Sequence, residues 1–300
     1  MSKQRTIELD PASLLEMPET AQEFVMRDSE FERICRLIHQ RAGITLAPSK
    51  RTMVYSRLAR RLRALGDTNF AEYLKRLDGA DSDEWQQFVN ALTTNLTSFY
   101  RESHHFEILL EHLKARRTQG RLRIWCNAAS TGEEPYTLAF TAIEAFGTLN
   151  PPVEIIATDI DTQVLKRARL GVYPLESVKN LPPERISRFF RRGIGENEGM
   201  VRVRPEVANL VSFSQQNLLD PNWSVGAGFT AIFCRNVMIY FDRATQLGLL
   251  ERMAPCLSPD GLLFAGHSEN LSHARAFFHP LGQTVYSLAG AQPRAAARAA

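Results

Sequence analysis

Residues 122–136, LRIWCNAASTGEEPY, constrain this chain more than any other stretch, together with IIATDID over residues 155–161. An apolar run closing in small residues and a glycine, a helix start with acids and an early proline, and a second apolar run ending in aspartate describe a nucleotide-binding βαβ unit. The small side chains from Ala128 to Gly132 would let the backbone come close to a ligand. Asp159, at the carboxyl end of the second strand, sits where a carboxylate accepts hydrogen bonds from both hydroxyls of a ribose. The pattern implies an adenosine-containing cofactor.

The turn also says which one. A dinucleotide site is expected to carry G-x-G-x-x-G, because the backbone must approach a pyrophosphate. Here the turn has one glycine, Gly132, followed by Glu133 and Glu134. Two carboxylates repel a phosphate. They suit a cofactor with no phosphate and a positive sulfonium, so S-adenosylmethionine is favoured over NAD; the plain alternative is that both are first-turn acids of a helix with Pro135 early in it. Further on, FSQQNLLD (213–220) ends an apolar run with an amide that can meet an adenine edge. FCRNVMIYF (233–241) places Arg235 and Asn236 at the carboxyl end of a strand, where open α/β sheets bind ligands, unless they merely begin a loop.

The rest of the chain divides around this unit. Strand-like and helix-like runs alternate at 122–126, 134–146, 153–158, 162–169, 230–234, 242–257 and 262–266, which gives a mainly parallel sheet with helices on both faces. The run at 284–288 is expected to pair antiparallel at an edge. Glycines 193, 195 and 199 precede an alternating run at 200–204, with another strand-like run at 210–213; these read as an antiparallel hairpin subdomain inserted over about 191–214. Before the α/β domain (119–290) comes a linking segment (95–118) whose helix, about 102–114, buries Phe106, Leu109, Leu110 and Leu113. Residues 26–94 read as a small all-α domain: a helix opened by a Ser29/Glu32 capping box and closed by Gly43, and helices at 49–65 (closed by Gly66), 70–77 and 82–93. A mobile leader over 1–25 and a disordered tail over 291–300, AQPRAAARAA, complete the expected organisation.

Charge is unevenly placed. Between Arg36 and Arg76 ten Lys or Arg face two acids, Asp67 and Glu72, although residues 1–95 balance at fourteen of each sign. The polar start MSKQRTIELD is no signal peptide, no run reaches the 18 apolar residues of a membrane span, and the four scattered cysteines read as reduced thiols. A cytoplasmic protein is expected.

The segments LTTNLTSFYRE, AASTGEEPYTLA, ATDID, IFCRNVMIYFD and LLFAGHSEN, in this order and spacing, resemble the chemotaxis receptor glutamate methyltransferases, the CheR family, over about residues 28–288. The resemblance implies methyl transfer from S-adenosylmethionine to glutamate side chains of methyl-accepting chemotaxis receptors, giving methyl esters and S-adenosylhomocysteine. It implies a Rossmann-like S-adenosylmethionine-dependent α/β domain with a small inserted antiparallel β-subdomain, preceded by the all-α domain. Cofactor contacts fall on Asn95, Thr97, Arg101, Glu134, Asp159, Asn217, Leu218, Arg235 and Asn236. Arg101 and Tyr240 are the candidates for orienting the acceptor carboxylate. The family also implies docking on receptor: a basic face of Arg57, Arg60 and Arg61 facing the methylation helices, or else a solvated charged face; and the hairpin, with Arg192, Gly193, Gly195, Gly199 and Arg202, tethering to a carboxyl-terminal receptor pentapeptide by strand addition. The enzyme would be recruited to membrane receptor arrays without entering the membrane.

The chemistry needs neither base nor metal. A glutamate of pKa about 4.3 is already ionised at neutral pH. His104 and His105, at a helix start, read as structural or solvent-facing; His267 and Glu269 are split between lining the pocket and supporting it. The competing reading is a nucleic-acid methyltransferase with a basic docking domain. Its Asn/Asp-Pro-Pro-aromatic motif is missing: Asn150-Pro151-Pro152 precedes the second strand and is followed by Val153. A monomer is expected, since no apolar helix exceeds what the two domains need.

Overall fold

A computed structural model describes residues 23–79 and 82–290. The tail and nearly all of the expected leader lie outside the described residues. Four helices form the amino-terminal unit: α1 (Asp28–Ala42), α2 (Arg51–Leu65), α3 (Phe70–Gly79) and α4 (Ser82–Leu92). Ile34 and Ile38, Leu58 and Leu62, Phe70 and Leu77, and Phe88 are drawn from their inner faces into one fully buried cluster. Each such side chain contributes about 1.5–3 kcal/mol by leaving water. The α1 cap differs from expectation: Glu30, not Glu32, closes it, its carboxylate accepting from the Arg27 N–H at 2.7 Å.

Helix α5 (His104–Lys114) leads into the α/β domain: β1 (Leu122–Cys126), α6 (Glu133–Phe146), β2 (Val153–Asp159), α7 (Thr162–Leu170), β3 (Val172–Pro174), α8 (Pro183–Phe189), β4 (Phe190–Arg192), β5 (Met200–Val203), α9 (Pro205–Ala208), β6 (Val211–Gln215), β7 (Phe229–Cys234), α10 (Arg243–Met253), β8 (Leu257–Ala265), β9 (Phe278–Gly282) and β10 (Val285–Leu288). The main sheet runs β6-β2-β1-β7-β8-β10-β9. Its first five strands are parallel; β10 and β9 are antiparallel. After β1 the chain moves to β2 on one side and later to β7 on the other. That reversal opens a crevice at the carboxyl ends of β1 and β7.

Two boundaries need correction. The small sheet, order β3-β5-β4, begins at Val172 rather than near 191, and the run at 210–213 is no part of it. That run is β6, paired parallel with β2 from Ile155↔Val211 to Asp159↔Gln215. A three-residue strand such as Val172–Pro174 is too short to show a period. The second correction is the far edge, which is β9 and not β10. Pro280 suits an edge strand but hides it from a search for alternating runs.

Candidate active site

A cavity of about 500 Å³ opens over the carboxyl ends of β1, β2, β6 and β7, and the amino-terminal unit roofs it with Ile44, Leu46 and Met53. That volume is within the range of small-molecule sites. Asn95, Thr97, Arg101, Glu134, Asp159, Asn217, Leu218, Arg235, Asn236 and Tyr240 all line it. Strand ends and the linker thus bring together residues up to 145 positions apart in sequence, from 95 to 240.

Asp159 ends β2 with its side chain 7% exposed. Its two oxygens accept from the N–H groups of Ser130 (2.8 Å) and Asp161 (2.9 Å). Burial pushes its pKa up to about 6, the N–H groups opposing the rise. Each carboxylate oxygen keeps a lone pair for a ligand hydroxyl.

Arg235 follows β7 with a wholly buried side chain between two carboxylates, Glu134 at 2.6 Å and Glu102 at 3.1 Å. It also donates to the Arg101 carbonyl at 2.5 Å. Burial drives Glu134 above the usual carboxylate range, with Arg235 only partly offsetting it. Burial would raise Glu102 as well, but the Arg235 charge and N–H donors including that of His267 outweigh it and hold Glu102 below that range. The backbone is strained here: Tyr100, Glu102, Ser130 and Asn236 have φ of 54°, 55°, 48° and 58°. Non-glycine residues persist in this region when their surroundings fix them, commonly at functional sites.

The donor set fits an adenosyl cofactor with a sulfonium. Asp159 can take the ribose hydroxyls and Glu134 puts a carboxylate on the cavity wall. Among the described residues, Asn127 Oδ1 and Arg235 Nε are buried without a hydrogen-bond partner, and both residues line the cavity. Such orphaned groups are costly unless a ligand or water completes them.

Several sequence readings are reassigned by the structure. Gly132 does not make room for a ligand: a Cβ there would lie 2.7 Å from Tyr173 Oη and 3.0 Å from Ala168 Cβ, and its φ is 100°. Glu133 accepts from Thr131 Oγ1 at 2.6 Å as a first-turn acid of α6 and does not line the cavity. The Asn217 amide is anchored by protein, donating one N–H to the Arg41 carbonyl (2.8 Å) and accepting from the Leu219 N–H (3.0 Å), which leaves its second N–H for a ligand at the cavity wall. The shared outer face of Arg57, Arg60 and Arg61 is also corrected. Arg57 donates to the carbonyls of Leu92 and Thr93, and Arg61 pairs with Glu84 at 2.5 Å, leaving Arg60 as the exposed one. All three bonds arise because α4 packs across α2.

Among the split assignments, Glu269 is structural. It is 4% exposed and accepts from the N–H groups of Gly266, Asn236, Met238 and Ile239, which shapes the loop carrying Asn236 and Tyr240. His267 is exposed and off the cavity wall. His105 is fully buried against the Gln283 carbonyl (2.8 Å); burial, then the nearby Arg235 charge, depresses it to about 4, so it is neutral at physiological pH. Sequence reasoning missed Asn127, Glu102 and Asp161. Asp161 caps α7 and also accepts from Thr93 Oγ1 (2.7 Å) and Asn95 Nδ2 (2.9 Å), tying the linker to the sheet. The ATDID run carried the signal: a second aspartate just before a helix is an N-cap.

Comparisons with known proteins agree with this arrangement. The family model for the CheR methyltransferase SAM-binding domain matches residues 95–287, and that for the CheR methyltransferase all-alpha domain matches residues 29–93. The chemotaxis protein methyltransferase of Salmonella typhimurium is 56% identical over 268 residues, covering 89% of this chain and 92% of the relative. That of Escherichia coli is 54% identical over 276 residues (92% and 95%), and chemotaxis protein methyltransferase 2 of Pseudomonas aeruginosa 53% over 267 (89% and 95%). A solved glycopeptide N-methyltransferase complexed with sinefungin matches 57% of this chain and 50% of its own, with 15% identity and a TM-score of 0.34, too low to carry weight. With both halves matched and full-length relatives above half identity, the chain belongs to the CheR methyltransferase family.

Proposed function

We propose that this protein transfers the methyl group of S-adenosylmethionine to glutamate side-chain carboxylates of chemotaxis receptors. The observation that carries the reading is the pair of buried carboxylates, Asp159 and Glu134, facing one cavity at the switch point of the sheet. Bound there, the cofactor supplies an electrophilic methyl on a sulfonium. Asp159 accepts from the ribose, Glu134 offers negative charge, and the linker residues Asn95 and Thr97 close the cavity from the side. Arg101 and Tyr240, on different segments of the wall, orient the acceptor carboxylate in line with methyl carbon and sulfur. Alignment of this kind can supply up to roughly 7–11 kcal/mol. The acceptor is already an anion, so no group here is required to take a proton, and no metal is required to activate it.

Receptor docking divides between two surfaces. Arg60, exposed on α2, supports contact with acidic methylation helices, with Arg57 and Arg61 holding α2 in place. The small sheet supports strand addition. Gly193 N–H donates to the Met200 carbonyl (2.9 Å) and Arg204 N–H to the Phe189 carbonyl (2.9 Å), so antiparallel alternation turns the Phe190 carbonyl and the Arg192 backbone outward. Gly193 has no room for a Cβ beside the Asn197 carbonyl, Arg192 and the 85% exposed Ile194 lie along the open edge, and the exposed Arg202 sits one strand in, on β5 opposite Arg191. A receptor pentapeptide added here raises the local concentration of acceptor. Among the described residues no helix is long and apolar enough to cross a membrane.

Nothing at the site favours nucleic acid as acceptor. Asn150-Pro151-Pro152 precedes β2, at the opposite end of the strands from the cavity. Peptide mapping of receptor after reaction tests the proposal: methyl on glutamate is expected, whereas methyl found only on RNA or DNA overturns it. Titration with the receptor tail peptide tests the tether, which a lack of saturable binding removes.

A further inference from the structure

Glu102 lies outside the cavity wall, yet its carboxylate joins three segments around it. It pairs with Arg235 at 3.1 Å, accepts from Asn236 Nδ2 at 3.3 Å and from the His267 N–H at 3.1 Å. The buried Arg235 guanidinium therefore has one carboxylate on the cavity side, Glu134, and one behind, Glu102. If Glu134 were its only partner, the charges of that pair would cancel and Glu134 would present no net charge to the cavity. Resting on the cofactor reading above, we propose that Glu102 counter-charges Arg235 from behind, so that Glu134 faces the cavity with net negative charge and the site distinguishes the cationic cofactor from its uncharged thioether product. The two ligands share the adenosine and the amino-acid end; they differ by the methyl group and the positive charge on sulfur. Glu102 touches neither, so it is a positioning residue acting through Arg235.

The distinction is measurable as a ratio. Dissociation constants for S-adenosylmethionine, S-adenosylhomocysteine and sinefungin, which carries an amine in place of the sulfonium, are determined by calorimetry for the full chain and for Glu102→Gln and Glu102→Asp. Removing one charge about 12 Å away, at an effective dielectric constant of about 20, shifts the affinity ratio by about tenfold, and by more at shorter range. Glu102→Gln is expected to weaken S-adenosylmethionine and sinefungin by about tenfold relative to S-adenosylhomocysteine, and Glu102→Asp, which keeps the charge, is expected to hold the parent ratio. A Glu102→Gln variant that weakens all three ligands equally, or none, overturns the proposal, as does an Asp variant whose ratio shifts like that of Gln. A parent protein that binds none of the three refutes the cofactor reading instead.

Discussion

Replacing Asp161 by alanine should cost about 4 kcal/mol and loosen the cavity wall. The carboxylate is 2% exposed, and its two oxygens serve different elements. Oδ1 accepts from the N–H groups of Gln163 (2.8 Å) and Val164 (3.3 Å) at the start of α7; Oδ2 accepts from Thr93 and Asn95 in the linker. An N-cap removed to alanine costs about 1 kcal/mol. Each linker bond to a charged acceptor adds about 1.5 kcal/mol. Asparagine caps a helix as well as aspartate, so Asp161→Asn should keep the first term and lose only part of the second, about 1–2 kcal/mol. Because Asn95 lines the cavity, Asp161→Ala should also weaken cofactor binding by about tenfold, the worth of one such bond. Urea denaturation without cofactor gives the first quantity and calorimetric titration the second. A loss of 1 kcal/mol or less in Asp161→Ala with cofactor affinity intact would mean that Asp161 is only a helix cap and that the linker is held otherwise.

Three further outcomes follow from the geometry. Asp159 has its pKa raised to about 6 in the free protein. Ribose hydroxyls donate to the ionised form, so cofactor affinity should be flat well above that pH and fall by up to tenfold per unit below it; titrations across this range should show the slope in the parent and not in Asp159→Asn. Gly132→Ala forces a side chain into Tyr173 and Ala168 at a positive φ and should destabilise by at least about 2 kcal/mol, whereas Gly66→Ala, with φ of 72° but nothing within 4 Å, should lose about 1 kcal/mol in the same denaturation assay. Charge reversal at Arg60 should raise the Michaelis constant for receptor without changing cofactor affinity, whereas reversal at Arg57 should lower stability through the Leu92 and Thr93 carbonyls; an unchanged constant in Arg60→Glu removes the docking surface.

Legibility in the sequence followed the range of the interaction. Periodicity located β1 at its observed ends and α6 to within a residue, because both are buried runs bounded by small residues or glycine. The cavity residues were readable because strand ends at a switch point are where such sheets bind ligands. What stayed hidden depends on distant packing. Glu102 is a polar residue at the start of a helix in the sequence and a counter-ion of Arg235, 133 positions away, in the fold. Arg57 and Arg61 have the spacing of an outer face, and only the crossing of α4 over α2 turns them inward. The strand β3 carries too few residues for alternation to register, and Pro280 interrupts that of the edge strand β9.

Incubating the protein with methyl-labelled S-adenosylmethionine and receptor-containing membranes, then treating the receptor with mild base, tests the central claim most directly. The account predicts label on the receptor that mild base releases as methanol, the mark of a carboxyl methyl ester. Label that resists base, or that appears on nucleic acid and not on receptor, would contradict it.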